Sequence, residues 1–536
     1  MHHDPLRYPW PSRRFVKYTA KGMVATSQPL AALAGRDILQ RGGNAVDAAI
    51  ATAICLTVVE PTSNGIGGDA FALVWIDGKL HGLNASGRTP AAMTRARLAA
   101  AGHDTIPQRG WETVSVPGTP SAWAALSQRF GRLPFDELFE PAITAARSGY
   151  AVSPILGKVW KATAQEFGQT LQGAEYEPWF DTFTDDGRAP DIGAMVRLPD
   201  HAATLEEIAS TKSVSFYEGR LAEQIDRYAR RFGAALRADD LSRHRVEWID
   251  PISVHYRGYD VWEMPPNGQG IVALQALNIF DRLHHKGMPE DLRQHYMIEA
   301  VKAAFADAHA HVGDPQHVQV PTDQLLSDEY ALRRSGDIGL SATHPAPIEL
   351  RAGGTVYLAA ADSEGCMVSL IQSNYKGFGS GLVVPGTGIA LHNRAKDFSL
   401  DPTHPNALEP GKRPFHTIIP GFLTRDGKAV GPFGVMGGYM QPQGHVQLLS
   451  NMIDLGMNPQ AALDAPRWCW EAGRRIATEP EFPADLLQAL MRRGHEVSPR
   501  PDETGFGRGQ VILRDPATGV LAGGSDRRTD GEVAIL

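Results

Sequence analysis

Residues 45–59 read Ala-Val-Asp-Ala-Ala-Ile-Ala-Thr-Ala-Ile-Cys-Leu-Thr-Val-Val, with Asp47 the only charge among them. Asn44 is placed to cap a helix here, and Pro61 ends it. A helix that is apolar on nearly every face has no side to turn to water, so it must be buried. The uncharged stretch from Ala48 to Val59 is too short to cross a bilayer, so burial means a protein core. Just before it, Pro29–Gln40 is rich in Ala and Leu and runs into Arg41-Gly42-Gly43, a helix with a glycine stop.

The rest of the chain supports a large globular protein. Its 536 residues allow three or four domains, or one large domain with insertions. Hydrophobic residues make up 43% and charged residues 21%, unlike a disordered chain. The net charge of −8 excludes a sequence-wide electrostatic footprint for nucleic acid. No internal repeat points to a solenoid or propeller. Cys55, Cys366 and Cys469 form neither a CxxC pair nor a disulfide framework, and Cys55 and Cys366 read as buried thiols. The first residues, Met-His-His-Asp-Pro-Leu-Arg-Tyr, hold no apolar core of secretory length, so the protein reads as cytoplasmic, with no membrane partner.

Along the chain, the first 25 residues read as an irregular arm. Asn64-Gly-Ile-Gly-Gly-Asp69 precedes a strand over Ala70–Trp75. Phosphate-cradling glycine loops follow a strand and open a helix, so this one reads as tight backbone packing. Helices are expected from Val116-Pro-Gly to Phe130, over Pro141–Ser148, Ile271–Leu283 and Asp291–His311, and around Val446–Ile453. His309 and His311 lie two apart, off a common helix face, and no HExxH or CxxC accompanies them, so no metal is expected. Residues 314–354 read as an exposed linker rich in Pro, Gly, Asp and Ser. A β-hairpin follows, Thr355–Asp362 and Met367–Ser373 around Ser-Glu-Gly.

The linker ends in Gly353-Gly354, and Thr355 opens the strand. Glycines leave the backbone free to take unusual angles and offer no side chain to block a reaction at the peptide bond. A Thr that is the first residue of a chain can be a nucleophile with its own α-amino group as base. That amine has a pKa of about 7.7–8.0, so a neutral fraction exists near neutral pH. Taken alone, a Thr at the start of a strand is far more often structural.

The wider pattern weighs toward chemistry. Met23-Val-Ala-Thr-Ser-Gln-Pro, Gly42-Gly-Asn-Ala-Val-Asp, Glu60-Pro-Thr-Ser-Asn-Gly-Ile-Gly-Gly-Asp, Asp362-Ser-Glu-Gly, Gly411-Lys-Arg-Pro, Met436-Gly-Gly and Gly524-Ser-Asp-Arg resemble, in collinear order, the γ-glutamyltransferase (glutathione hydrolase) family. The resemblance looks closest to its unexported, oxamate amidohydrolase-like branch. It implies an α/β N-terminal nucleophile hydrolase: a four-layer αββα sandwich with two stacked, mainly antiparallel sheets. It also implies a proenzyme that cuts itself between Gly354 and Thr355. Residues 1–354 then form the large chain and 355–536 the small one, interleaved in one fold and associated, with a homodimer or heterotetramer left open.

By the same resemblance Thr355 is the nucleophile, Ser373 its supporting hydroxyl, Gly437 and Gly438 the oxyanion-hole pair, and Asp397 the acid that holds a substrate ammonium. Four positions depart from the family's transpeptidase pattern. The carboxylate-clamping arginine is replaced by Ser86, with Arg88 two residues on. Tyr375 stands for an Asn, Arg394 for a Gln, and His416-Thr417 for a Ser-Ser pair. Arg394 reads either as a ligand for a substrate carboxylate or as an ion-pair partner of Asp397. His416 and His445 read as packed residues rather than bases. The implied activity is hydrolysis, or transfer, of γ-glutamyl or related small acyl groups from amides such as glutathione, with no metal or organic cofactor. The alternatives are a short carboxylate-bearing amide such as oxamate, an acylated β-lactam, or an unprocessed pseudoenzyme.

Overall fold

The computed structural model describes residues 14–283, 285, 287–345, 353–501 and 505–536. Two seven-stranded sheets form its centre. The first runs Glu532–Ile535, Gly22–Thr26, Gly354–Asp362, Met367–Tyr375, Asp69–Ile76, Lys79–Asn84 and Glu247–Ile249. The second runs Lys17–Thr19, Leu521–Ser525, Arg508–Arg514, Lys428–Met436, Gly421–Arg425, Tyr259–Glu263 and Ile252–Tyr256. Neighbouring strands within each are antiparallel. Both sheets take strands from before and after residue 354.

The period-two alternation of a strand explains the layering. On Gly354–Asp362, Tyr357, Ala359 and Ala361 pack with Phe71, Leu73, Phe422 and Ile512 between the sheets. The alternate residues Val356, Leu358 and Ala360 face outward, onto the helix Ala45–Val59 and its neighbours. Outside the second sheet, Phe433, Val435 and Val511 pack on Gly270–Leu283, Glu290–His311 and Met440–Ile453. This is the αββα sandwich that the resemblance implies.

The capped helix is as expected. Asn44 Oδ1 accepts from the N–H groups of Val46 and Asp47, each at 3.0 Å, and every residue of Ala45–Val59 is buried. The loop 64–69 packs as read: a Cβ on Gly68 would lie 2.7 Å from the Ser373 carbonyl oxygen. Cys55 and Cys366 are buried free thiols.

Two expectations fail. The arm holds a strand, Gly22–Thr26, wholly buried between Gly354–Asp362 and Glu532–Ile535. Its Met-Val-Ala run is buried on both faces, so it carries no alternation to betray a strand. The presumed linker is largely structured. Asp314 is buried and paired with Arg88 at 2.7 Å. Thr322–Leu325 and Asp328–Gly336 are helices whose Leu325 and Ala331 join the second helical core. Of the linker, residues 346–352 lie outside the described residues. Among the described residues no helix is long and apolar enough to cross a membrane.

Candidate active site

Thr355 sits at the first turn of register in an inner strand. Gly354 pairs with Tyr375 and Val356 with Gln372, so the ladder is irregular at Thr355. Such bulges re-aim side chains next to active sites. The Thr355 hydroxyl lies 2.7 Å from its own neighbour's carbonyl, Gly354 O, and 3.0 Å from Ser373 Oγ. Ser373 Oγ donates to the same Gly354 oxygen at 2.7 Å and accepts from Tyr375 N–H at 2.7 Å. The Gly354 carbonyl therefore faces both hydroxyls, and both threonine and serine are buried. Glycine is required beside it. A Cβ on Gly353 would stand 2.9 Å from Tyr375 O and 3.4 Å from Gly438 Cα.

Gly437 and Gly438 follow the strand Lys428–Met436 and lead into the helix Met440–Ile453. Their φ angles of 137° and 63° lie in the region that favours glycine. Gly438 O accepts from Gln441 N–H at 3.2 Å and from Gln269 Nε2 at 2.8 Å, and Gly437 O from Met440 N–H at 3.2 Å. In a trans peptide the N–H points opposite to the C=O. Pinning Gly437 O thus aims the Gly438 N–H the other way, at the positive end of a helix dipole, where a developing anion is stabilised.

A second group lies against Ser373. The short turn Arg394–Asp397 presents a fully buried guanidinium. Arg394 Nη1 donates to Thr417 Oγ1 at 2.7 Å, Nη2 lies 3.5 Å from Ser373 Oγ, and Cζ sits 4.1 Å above the Tyr375 ring. Asp397 is 3.9 Å from Arg394 and accepts the Tyr375 hydroxyl at 2.5 Å. Burial and the Asp397 charge push the Tyr375 phenol well above its ordinary range, so it stays a donor. Burial pulls the Arg394 pKa down, opposed by Asp397, Tyr375 and Asp69. Gln269 Nε2 ties this group to the glycine turn by bridging Thr417 O and Gly438 O, at 2.6 and 2.8 Å.

The structure thus gathers Thr355, Ser373, Tyr375, Arg394, Asp397, Thr417, Gly437 and Gly438. The other three sequence candidates are engaged by other partners. Ser86 is held by Asn84 Oδ1 at 2.7 Å and by Asn267 Nδ2 at 3.3 Å. Arg88 is engaged by Asp314, Glu247 and Gly411 O, so it is a structural ion-pair residue. His416 turns its Nε2 to Asp69 at 3.0 Å, which fits the packed reading. His445 likewise packs on Glu263, at 2.6 Å.

Asp69 is the residue that sequence reasoning passed over. Burial lifts its carboxyl to about 7, against the pull of Arg394 and of the Gly87 N–H. The same burial, with Arg394 nearby, holds His416 well below its ordinary value. Its signal was an acid at the end of a glycine loop, which only tertiary contact makes meaningful.

Comparisons with known proteins place the chain in a family. The family model "Gamma-glutamyltranspeptidase" matches residues 31–536. The glutathione hydrolase-like YwrD proenzyme of Bacillus subtilis is 36% identical, over 95% of this chain and 98% of its own length. The oxamate amidohydrolase proenzyme of Klebsiella pneumoniae is 35% identical, over 96% of this chain and 98% of its own. The crystal structure of a cephalosporin acylase from Bacillus halodurans superposes with a TM-score of 0.97 at 56% identity, covering 100% of this chain and 99% of that one. Relatives that are proenzymes of amide hydrolases bear out the enzyme reading over the pseudoenzyme one. The chain belongs to the γ-glutamyltranspeptidase family and is an N-terminal nucleophile amide hydrolase.

Proposed function

We propose that the chain cleaves itself between Gly354 and Thr355, and that the freed Thr355 then hydrolyses amides whose acyl half carries a carboxylate but no ammonium. Self-cleavage starts with attack of the Thr355 hydroxyl on Gly354 C=O, which Ser373 polarises. Once cut, the Thr355 α-amine serves as base for its own hydroxyl. The amides of Gly437 and Gly438 receive the oxyanion, and water completes the acyl-enzyme's hydrolysis.

One observation carries the choice of acyl group: Tyr375 OH occupies Asp397 at 2.5 Å, with Arg394 stacked on the same ring. In the γ-glutamyl reading Asp397 would hold the substrate's ammonium. Here the Tyr375 phenol already answers that carboxylate, and a second cation would meet Arg394 beside it. Arg394 instead offers a fork of donors suited to a carboxylate. The names of two similar proteins, oxamate amidohydrolase and cephalosporin acylase, fit acyl groups outside the γ-glutamyl set.

The test is a pair of 4-nitroanilides, glutaryl and γ-glutamyl, which differ only in the ammonium. Glutaryl turnover should exceed γ-glutamyl turnover by about tenfold or more in kcat/KM, the worth of one lost charge contact. Equal or reversed rates would return the protein to γ-glutamyl hydrolysis.

A further inference from the structure

Asp69 stands against two histidines, and each of these belongs to a segment that holds one end of Arg394. On one side, His392 Nδ1 accepts the Arg394 backbone N–H at 3.1 Å. On the other, Thr417, next to His416, accepts from the guanidinium at 2.7 Å. A ring nitrogen that accepts a backbone N–H carries no proton, so each neutral ring keeps its proton on Nε2. His416 Nδ1 accepts from Ile418 N–H at 3.3 Å, which leaves Nε2–H to donate to Asp69 Oδ2 at 3.0 Å. His392 Nε2 faces Asp69 Oδ1 from 3.9 Å, too far for a hydrogen bond, and has no other partner among the described residues. Asp69 also pairs across the strands with Ser373, the residue that Arg394 Nη2 approaches to 3.5 Å.

The acid is wholly buried, and its hydrogen bonds come from neutral donors, His416 Nε2–H and the Gly87 N–H at 3.2 Å. Among the described residues no Lys or Arg forms an ion pair with it. A buried carboxylate without a paired cation readily keeps its proton. Arg394 and Arg413 act on it from farther off and favour the ionised form, and Tyr217 is its remaining titratable neighbour. Burial, reinforced by Arg394, holds His392 at about 3 and His416 well below its ordinary value, while burial lifts the Tyr217 phenol. Of these groups Asp69 alone changes charge near neutral pH. Charge balance gives that change a consequence. The buried Arg394 already has Asp397 at 3.9 Å, and a substrate carboxylate adds a second negative charge. An ionised Asp69 would be a third around one guanidinium, and buried like charges disfavour one another.

We propose that Asp69 sets the charge that the acyl site accepts: a carboxylate bound at Arg394 is held together with a proton on Asp69, and an ionised Asp69 weakens that hold. The proposal rests on the reading of Arg394 as the partner of the substrate's carboxylate. It makes Asp69 a specificity-determining residue that acts through buried charge, with His392 and His416 as neutral spacers between the two groups. The sign follows from linkage. A bound anion strengthens the grip of Asp69 on its proton, so the complex takes up protons near pH 7 and carboxylate binding weakens as pH rises.

The test compares two anilides across pH. Pentanoyl-4-nitroanilide carries a methyl group where glutaryl-4-nitroanilide carries its carboxylate. The ratio of their kcat/KM values on processed wild type cancels the titration of the Thr355 amine, which both substrates need. From pH 6 to pH 8.5 the glutaryl-to-pentanoyl ratio should fall about three- to tenfold, which is about half to one pKa unit of coupling. In Asp69→Asn it should stay level. A second readout needs no turnover. Glutarate binding to processed wild type at pH 7 should take up a fraction of a proton, read with an indicator dye in weakly buffered solution, and Asp69→Asn should abolish the uptake. A wild-type ratio that favours the glutaryl anilide but stays level with pH overturns the proposal and leaves the Arg394 assignment standing. So does a fall, or an uptake, that persists in Asp69→Asn. A ratio at or below one at every pH, with no glutarate binding, overturns the Arg394 assignment and the proposal with it. Should Asp69→Asn not fold, the wild type decides alone: a falling ratio with proton uptake supports the proposal, and a level ratio without uptake refutes it.

Discussion

Replacing Arg394 by Gln tests the acyl assignment where it is most exposed. The guanidinium is fully buried, and its short contact is to Thr417 Oγ1 at 2.7 Å. Its link to Asp397, at 3.9 Å, is long, so most of its donor capacity is left for a ligand. A hydrogen bond to a charged group contributes about 1.5–3 kcal/mol. Leaving the substrate's carboxylate buried without a partner raises the loss to about 2–5 kcal/mol. The expected fall in kcat/KM for glutaryl-4-nitroanilide is therefore about thirtyfold to several thousandfold. The γ-glutamyl anilide should lose less, since Gln removes a positive charge from beside its ammonium. Self-cleavage should proceed, because Arg394 reaches Ser373 only at 3.5 Å. The assay is the ratio of the two anilides on fully processed protein. An Arg394→Gln enzyme that is fully cut and hydrolyses the glutaryl anilide like wild type would refute the reasoning.

Further outcomes follow from the same geometry. Ser373→Ala removes the 2.7 Å donor to Gly354 O and should slow self-cleavage about tenfold to a thousandfold, followed as band conversion on a gel. Gly438→Ala forces a side chain onto φ 63°, at about 1–3 kcal/mol, and should lower both the melting temperature and kcat. Asp69 holds its proton to about pH 7 when folded and to about pH 4 when unfolded. Between those values the folded state binds more protons, so this group's contribution falls as pH rises, by about 2–4 kcal/mol in all. In an uncut Thr355→Ala background, Asp69→Asn should therefore gain melting temperature relative to its parent at pH 8 compared with pH 5. An unchanged difference would show that the Asp69 carboxyl ionises in the fold.

Much of the architecture was legible because local signals were strong. Asn44 and Asp47 form a reciprocal cap, and Ser-Glu-Gly turns the hairpin that holds Thr355 and Ser373. The proposal of Thr355 as nucleophile came through the family resemblance, since a Thr at a strand start says little. Elements buried on both faces were not, and Gly22–Thr26 is the clearest case. The polar composition of Thr322–Leu325 and Asp328–Gly336 hid two helices that bury only Leu325, Ala331 and Ser335. Roles set by distant contacts were also hidden. Arg88 looked available until Asp314, 226 positions away, closed on it. Asp69 gained its meaning from His416, 347 positions away. Tyr375 and Arg394 stood out in the sequence as departures from the family pattern, but that the phenol occupies Asp397 is a tertiary contact with no local signal.

The central claim is that Thr355 becomes an N-terminus and acts from there. Intact-mass and N-terminal analysis of purified wild-type protein tests it most directly. The account predicts a fragment spanning residues 355–536 that begins with Thr355, appearing as amidase activity appears, and a Thr355→Ala chain that stays whole and inactive. A single uncut chain with full activity, or a fragment beginning at any other residue, would contradict it.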